Sequence, residues 1–278
     1  MRGRTWQRWW RNPRTKAAIF VLLPVLAAAL LAPLYPVSPT AQDLRATLAP
    51  PGTTSASGAF YLLGTDELGR DLTARLLHGL RASVLVGAAA LAIAIVVGTT
   101  LGLLAGWFGG AIDSVVTGAT ETLMTLPFIL LAIAVIGAVG ASTTVLILTL
   151  GLTGWVSFAK LVRAKTFELR NEEFVQAAHA LGVRTPGKLV RHVLPNVAPL
   201  MLVDGTLQFG ALVLAEAGLS FLGLGVPPPT PTLGGILAGG QVFLAVAWWI
   251  ATLPGLTLLV LVLAINVLGD TLRDAAAP

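Results

Sequence analysis

Four sets of residues in this 278-residue chain have types and spacings that could do chemistry. The first, Gly182-Val183-Arg184-Thr185-Pro186-Gly187-Lys188, has the outline of a phosphate-binding loop. Such a loop needs Ser or Thr after its lysine for magnesium, and backbone N–H groups to cradle phosphate. Leu189 follows the lysine here, Pro186 has no N–H, and the preceding residues do not read as a strand. ATP chemistry is therefore not expected of this chain. The second, Ser157-Phe158-Ala159-Lys160, has the spacing of serine acyl enzymes, but it lacks their Lys-Thr-Gly partner and sits where an apolar run ends. It reads as coincidence. The third set is His78, His179 and His192, no two of which are spaced as a metal-binding pair. With no cysteine in the chain, disulfides, thiolate metal sites and cysteine nucleophiles are excluded.

The fourth set is polar residues inside apolar runs: Glu121, Asp204, Gln208, Glu216 and Asn266. In a bilayer a central charge costs about 2.5–3.5 kcal/mol on insertion scales, so such groups face protein or water. Buried hydrogen-bonded roles are the favoured account of the set, with a translocation path as the functional alternative. Glu121 is expected near the inner end of its run. Asp204 stands one helical turn from Gln208. We expect it to face a pore and to favour cationic or amine-bearing cargo.

The elements that carry these residues are apolar. Hydrophobic residues make up 55% of the chain and charged ones 11%, against about 25% charged in soluble domains. Mean hydropathy is +0.83. A bilayer, rather than water, is the solvent this composition fits. A net charge of +5 in a soluble protein would point to nucleic acid. Here the basic residues instead mark one side of a membrane, and no nucleic acid partner is expected.

A membrane-crossing helix needs about 20 mostly apolar residues. Six runs meet that need, at 17–35, 83–106, 114–138, 143–158, 197–222 and 246–268. The first follows a basic N-terminus, 1–16. A cleaved signal peptide would look similar, but the chain stays hydrophobic afterwards. Residues 36–82 form a polar external segment, 159–196 a polar loop, 223–245 an external loop with four prolines, and 269–278 a short tail. The core is thus expected over 83–278. Six spans place both termini and the polar loop on one side, which then holds 14 of the 18 basic residues. That bias gives cytoplasmic termini and a multi-pass protein of the cell (inner) membrane. Gly98, Gly102, Gly106 and Gly110 recur every four residues, which lines one helix face and lets another backbone approach. Internal helix packing is the expected use, ahead of a subunit contact.

The polar loop is the most informative stretch. Ten of the chain's 31 charged residues lie in Lys160–Pro195. Good helix formers over Phe174–Leu181 end at Gly182, a natural helix stop. Pro186 fits the first turn of a second helix running to about Val193, and Pro195 is expected to end it. The order Gln176, Ala177, Ala178, Gly182, His192, Leu194, Pro195 resembles the EAA loop of ABC importer permeases. Gln176 replaces the family glutamate and His192 takes an apolar slot, while the spacing is intact. Leu63–Asp71, Leu219–Val226 and Asn266–Asp274 are similar to segments of the peptide/nickel subfamily, C-type subunit. The resemblance covers about residues 60–278.

This resemblance implies an all-α integral membrane protein with six transmembrane helices, the type I ABC importer permease fold and a cytoplasmic coupling loop. It implies a homologous second permease subunit, two ATP-binding cassette ATPases, an extracytoplasmic substrate-binding protein and a surrounding lipid bilayer. ATP and magnesium belong to the ATPases, and this chain is expected to bind no cofactor and no metal. Cargo would be dipeptides or oligopeptides, with nickel or a metal chelate as the near alternative. Two other classes stay open at this point. An ion-coupled secondary transporter, with Glu121 and Asp204 as proton carriers, would move solute without ATPases. A structural membrane protein would tolerate changes around Gly182.

Overall fold

The computed structural model describes residues 9–10, 12–56 and 58–276, and it is helical apart from one small hairpin. Five stretches are long and apolar enough to cross a membrane: Pro13–Leu34, Leu72–Phe108, Thr143–Leu169, Thr185–Phe221 and Trp249–Ala275. A sixth exists if the pair Gly110–Thr125 and Phe128–Val139, bent by 93°, counts as one broken span.

Helix α1, Pro13–Leu31, starts on a built cap: Asn12 accepts the Arg14 N–H at 2.9 Å and Pro13 opens the first turn. A short 3-10 turn, Ala32–Leu34, extends it. The polar segment after it folds on itself. Strands β1 (Thr53–Thr54) and β2 (Phe60–Tyr61) pair antiparallel. Asp66 accepts the N–H groups of Leu68 and Arg70, at 2.9 and 3.0 Å. Arg70 reaches Asp66 at 2.6 Å and Glu67 at 2.8 Å, and Arg75 lies 3.1 Å from Asp66. Asp71 caps the next helix by accepting the Ala74 N–H at 3.0 Å.

That helix, α2, runs over Leu72–Phe108, well before the expected start at residue 83. The reason is the Asp71 cap: polar residues at 73–81 extend the helix beyond its apolar run. Its 37 residues span about 55 Å at 1.5 Å per residue, nearly twice a hydrocarbon core. The expected span over 114–138 is instead two helices, α3 (Gly110–Thr125) and α4 (Phe128–Val139). Pro127 forces the break. A residue before proline is pushed out of the helical region, and Leu126 is extended at φ −88°, ψ 125°.

Helix α5, Thr143–Leu169, is capped by Ser142 and continues far past residue 158. The polar loop therefore begins inside a helix. After it come α6 (Glu173–Ala180), α7 (Thr185–Lys188) and a π-turn, Leu189–Val193. These lead into α8, Leu194–Phe221. Pro195 does not end anything. Proline removes a donor and collides with the carbonyl four residues back. The wider π-turn, in which the Leu194 N–H reaches back to the Leu189 carbonyl, absorbs that defect, and Thr185–Phe221 is one continuous candidate span. The loop after α8 holds α9, Leu233–Gly240, and a 3-10 turn. Helix α10, Trp249–Ala276, takes in most of the expected tail.

The small-residue face of α2 packs on α5. A Cβ at Gly98 would stand 2.5 Å from the Trp155 carbonyl oxygen, one at Gly102 2.7 Å from that of Ala159, and one at Gly106 2.6 Å from that of Arg163. Glycine lets the two backbones touch there. Gly110 takes no part; it has φ +56° and opens α3. At one end of the bundle Leu72, Leu76, Leu80, Val213, Leu233 and Trp249 share a core. At the other, Val162, Leu169, Val193 and Val197 pack with Trp107 and Leu189. This second core holds the polar loop.

Candidate functional site

The polar loop forms a fixed elbow. Helix α6 closes with paired hydrogen bonds: Val183 N–H to the Ala178 carbonyl and Gly182 N–H to the His179 carbonyl, both at 3.0 Å. This is the Schellman pattern, which needs a left-handed residue, and Gly182 supplies it at φ +77°. Val175 and Ala178 point inward and are buried. The Gln176 side-chain amide donates to the Arg170 carbonyl at 3.1 Å. A glutamate, charged and without N–H groups, could not make that bond. The Arg170 guanidinium in turn donates to the Trp107 carbonyl at 2.8 Å, at the end of α2.

Lys188 pins the elbow from beneath. It is only 5% exposed, its Nζ lies 2.8 Å from His179 Nδ1 and 5.3 Å from the centre of the Trp107 ring. An ammonium only donates, so His179 accepts at Nδ1 and carries its proton on Nε2. The lysine that completes the outline of a phosphate-binding loop is thus committed to a neighbour and an aromatic face. His192 is half-buried in the π-turn, and its carbonyl accepts from the Asn196 side chain at 2.6 Å. Ala177 lies on the open side, as does Pro195, while Leu194 is half-buried. The open side also presents Phe174, Val190 and Leu181, the last 84% exposed.

The five intramembrane polar residues do not form one site. Glu121, on α3, is exposed and not buried within the chain. Asp204 accepts the Ser157 hydroxyl, 3.0 and 3.2 Å from its two oxygens. Gln208, one turn along, lines a 340 Å³ cavity between α3, α4, α5 and α8. Asn266, on α10, packs against Gly210, with Oδ1 2.9 Å from where a Cβ would stand there. That is a different side of α8. Glu216 is fully buried and receives the Ser220 hydroxyl at 2.6 Å, with the Ser83 hydroxyl of α2 also against its carboxyl. Only Asp204 and Gln208 share a face of α8: Gln208 lines the cavity, and Asp204 sits one helical turn beyond its lining.

Several working residues escape sequence reading. Ser157 and Lys160, paired in the acyl-enzyme spacing, separate here. Ser157 binds Asp204, while the Lys160 Nζ lies 2.9 Å from the Met124 sulfur. Arg163 grips Asp113 through both carboxylate oxygens, tying α5 to α3. Trp107, which supports Lys188 and Arg170, had no local signal. No group of three or more potential metal ligands occurs among the described residues.

A bundle of apolar helices with one structured polar elbow defines a membrane transport subunit. The chain belongs to the family of binding-protein-dependent transport system inner membrane components, whose pattern matches residues 98–278. The chain is 37% identical over 274 residues to the di/tripeptide transport system permease protein DppC of Pseudomonas aeruginosa. That alignment covers 98% of this chain and 90% of the relative. It is 36% identical over 275 residues to the oligopeptide transport system permease protein OppC of Mycobacterium bovis, covering 98% and 92%. Among solved structures it resembles a chain of the inward-facing MetNI methionine ABC transporter. The TM-score is 0.57 at 20% identity, covering 73% of this chain and 97% of that one. That likeness speaks to the fold. The type I importer permease architecture, with the resident chain a non-enzymatic, multi-pass inner-membrane component, follows from family and fold together.

Proposed function

We propose that this chain is the pore-forming subunit of an ATP-driven importer of dipeptides or oligopeptides. Partner ATPases act on it through the elbow at 173–193. The cargo class rests on the relatives, which are permeases of di/tripeptide and oligopeptide transport systems. The observation that carries the coupling role is the two-sidedness of the elbow. Its inner side is fastened to the ends of α2 and α5, through Gln176, Lys188 and Arg170. Its open side offers Phe174, Leu181 and Val190 to solvent. Exposed apolar side chains on a rigid support fit a protein partner's groove. The basic residues around them steer an acidic partner surface to it.

The assembly we propose holds a second, homologous permease subunit, two ATPases that bind ATP and magnesium, and an external binding protein. The elbow and both termini lie on the cytoplasmic side, in keeping with the distribution of basic residues. The Asp66-centred outer segment, with α9, forms the external face on which the binding protein lands. ATP-driven movement of the ATPases reaches the bundle through the elbow, because α5 leads into it across only the short turn 170–172 and α8 leaves it without an intervening loop.

Gly182→Pro tests the assignment. It removes the N–H that bonds the His179 carbonyl and demands a negative φ. The tagged variant should still insert and retain the second permease. Co-purified ATPase should fall at least about tenfold, with ATP-dependent peptide uptake in proteoliposomes. Retained ATPases together with undiminished uptake would show that docking lies elsewhere. Uptake of a nickel chelate but no peptide by the unmodified complex would reassign the cargo.

A further inference from the structure

We infer that Asp204 is a transit site for the N-terminal ammonium of a peptide, with Gln208 beside it in the wall of the cavity between α3, α4, α5 and α8. The inference rests on the peptide-import reading above and adds a recognised group to it.

The argument begins with what Asp204 lacks. It lies near the middle of α8, a helix that crosses the membrane. A carboxylate accepts about four hydrogen bonds. Asp204 has one described donor, the Ser157 hydroxyl. Arg163 is paired with Asp113 and Lys165 with Glu168, while Lys160 lays its Nζ on the Met124 sulfur and makes no ion pair with Asp204. Helices α3, α4 and α8 carry no Lys or Arg at all. A mid-membrane carboxylate without a counter-ion must meet water or a cationic ligand.

The cavity supplies the rest of the recognition. Its 340 Å³ is walled by apolar side chains such as Met124, Phe128 and Leu212, and Gln208 is the sole side-chain amide in its lining. An ammonium on Asp204 would place the first peptide group of the cargo about one helical turn along, beside Gln208. That side chain both donates and accepts, which matches a peptide's N–H and C=O. The apolar walls take the first side chain without selecting its shape. Ser157 holds the carboxylate in place when no cargo is present.

The chain has no cysteine, so one introduced thiol reports cleanly. The complete importer, with Gln208→Cys in this chain, is placed in proteoliposomes and treated with a cationic or an anionic methanethiosulfonate. Labelling is scored on this chain's band. The cationic-to-anionic rate ratio should exceed that of a free thiol in solution by about tenfold, as an attractive unpaired charge would give. Adding Asp204→Asn, which keeps the shape and the Ser157 partner, should return the ratio to the free-thiol value. Asp204→Glu should restore it. Binding-protein-stimulated ATPase activity confirms that each variant is assembled. A free-thiol ratio with Asp204 present, or a thiol that never reacts, overturns the inference. During turnover, peptide delivered by the binding protein should slow labelling at least about threefold, as occupancy requires. Peptide imported without any protection also overturns it. A parent complex that imports no peptide, while its Gln208→Cys form keeps the Asp204-dependent charge preference, would sink the import reading alone.

Discussion

Lys188 shows how one side chain can set the shape of a whole polar elbow. Its ammonium is held by an imidazole nitrogen and an aromatic face, both from parts of the chain that must stay together for the elbow to exist. Lys188→Met keeps the stem and removes the charge and the donor, ending both the hydrogen bond to His179 Nδ1 and the cation–aromatic contact with Trp107. We expect a loss of about 1–3 kcal/mol locally, read as faster protease cleavage at 181–184 and several-fold less co-purified ATPase. The phenols allow a second test at this scale. The chain has two tyrosines, and burial raises both above the ordinary value, with Asp71 adding to Tyr35 and Asp43 to Tyr61. A raised acid favours its protonated form in the fold. Its contribution is therefore present below the unfolded value near 10 and is lost as pH rises through the folded one. Phenolate absorbance of the folded chain should rise only above about pH 10, and should shift back to about 10 on unfolding. Tyr61→Phe should leave a single component from Tyr35.

Among the elements, the seam between α2 and α5 is the tightest. Gly102 faces the Ala159 carbonyl and the Val162 Cβ, 2.7 and 2.8 Å from where its own Cβ would be. Gly102→Val must therefore push the helices apart. Overpacking of this kind costs about 1–3 kcal/mol, which should appear as a lower melting temperature in detergent. Gly118→Val, on α3 with nothing within 4 Å, should melt like the parent. The glycine spacing was legible in the sequence because helical period alone places those residues on one face. The ends of elements were not. Asp71, Ser142 and the π-turn before Pro195 extend helices through polar residues, and hydropathy registers only the apolar part. The bend at Leu126–Pro127 was hidden for the opposite reason, since the residues on its two sides together are apolar enough to count as one span.

For the molecule as a whole, the six apolar runs, the polar loop and the Gly182 turn could be read directly, because composition and local chemistry determine them. The partners of the site residues could not. Ser157 and Asp204 are 47 positions apart, and Lys188 meets Trp107 from the far end of another helix. Only the folded bundle joins them. Asp204 itself is legible in the sequence, since an acid in an apolar run is anomalous wherever it packs, while its Ser157 partner comes only from the packing of α5 on α8.

The bare-backbone seam has a consequence for how a passage opens. Two helices meeting carbonyl against missing Cβ over three successive turns have no slack to slide or part, so they travel as a single plank. Any alternation between outward and inward access must then be taken up at the looser joints, where α8 and the broken pair α3–α4 border the cavity.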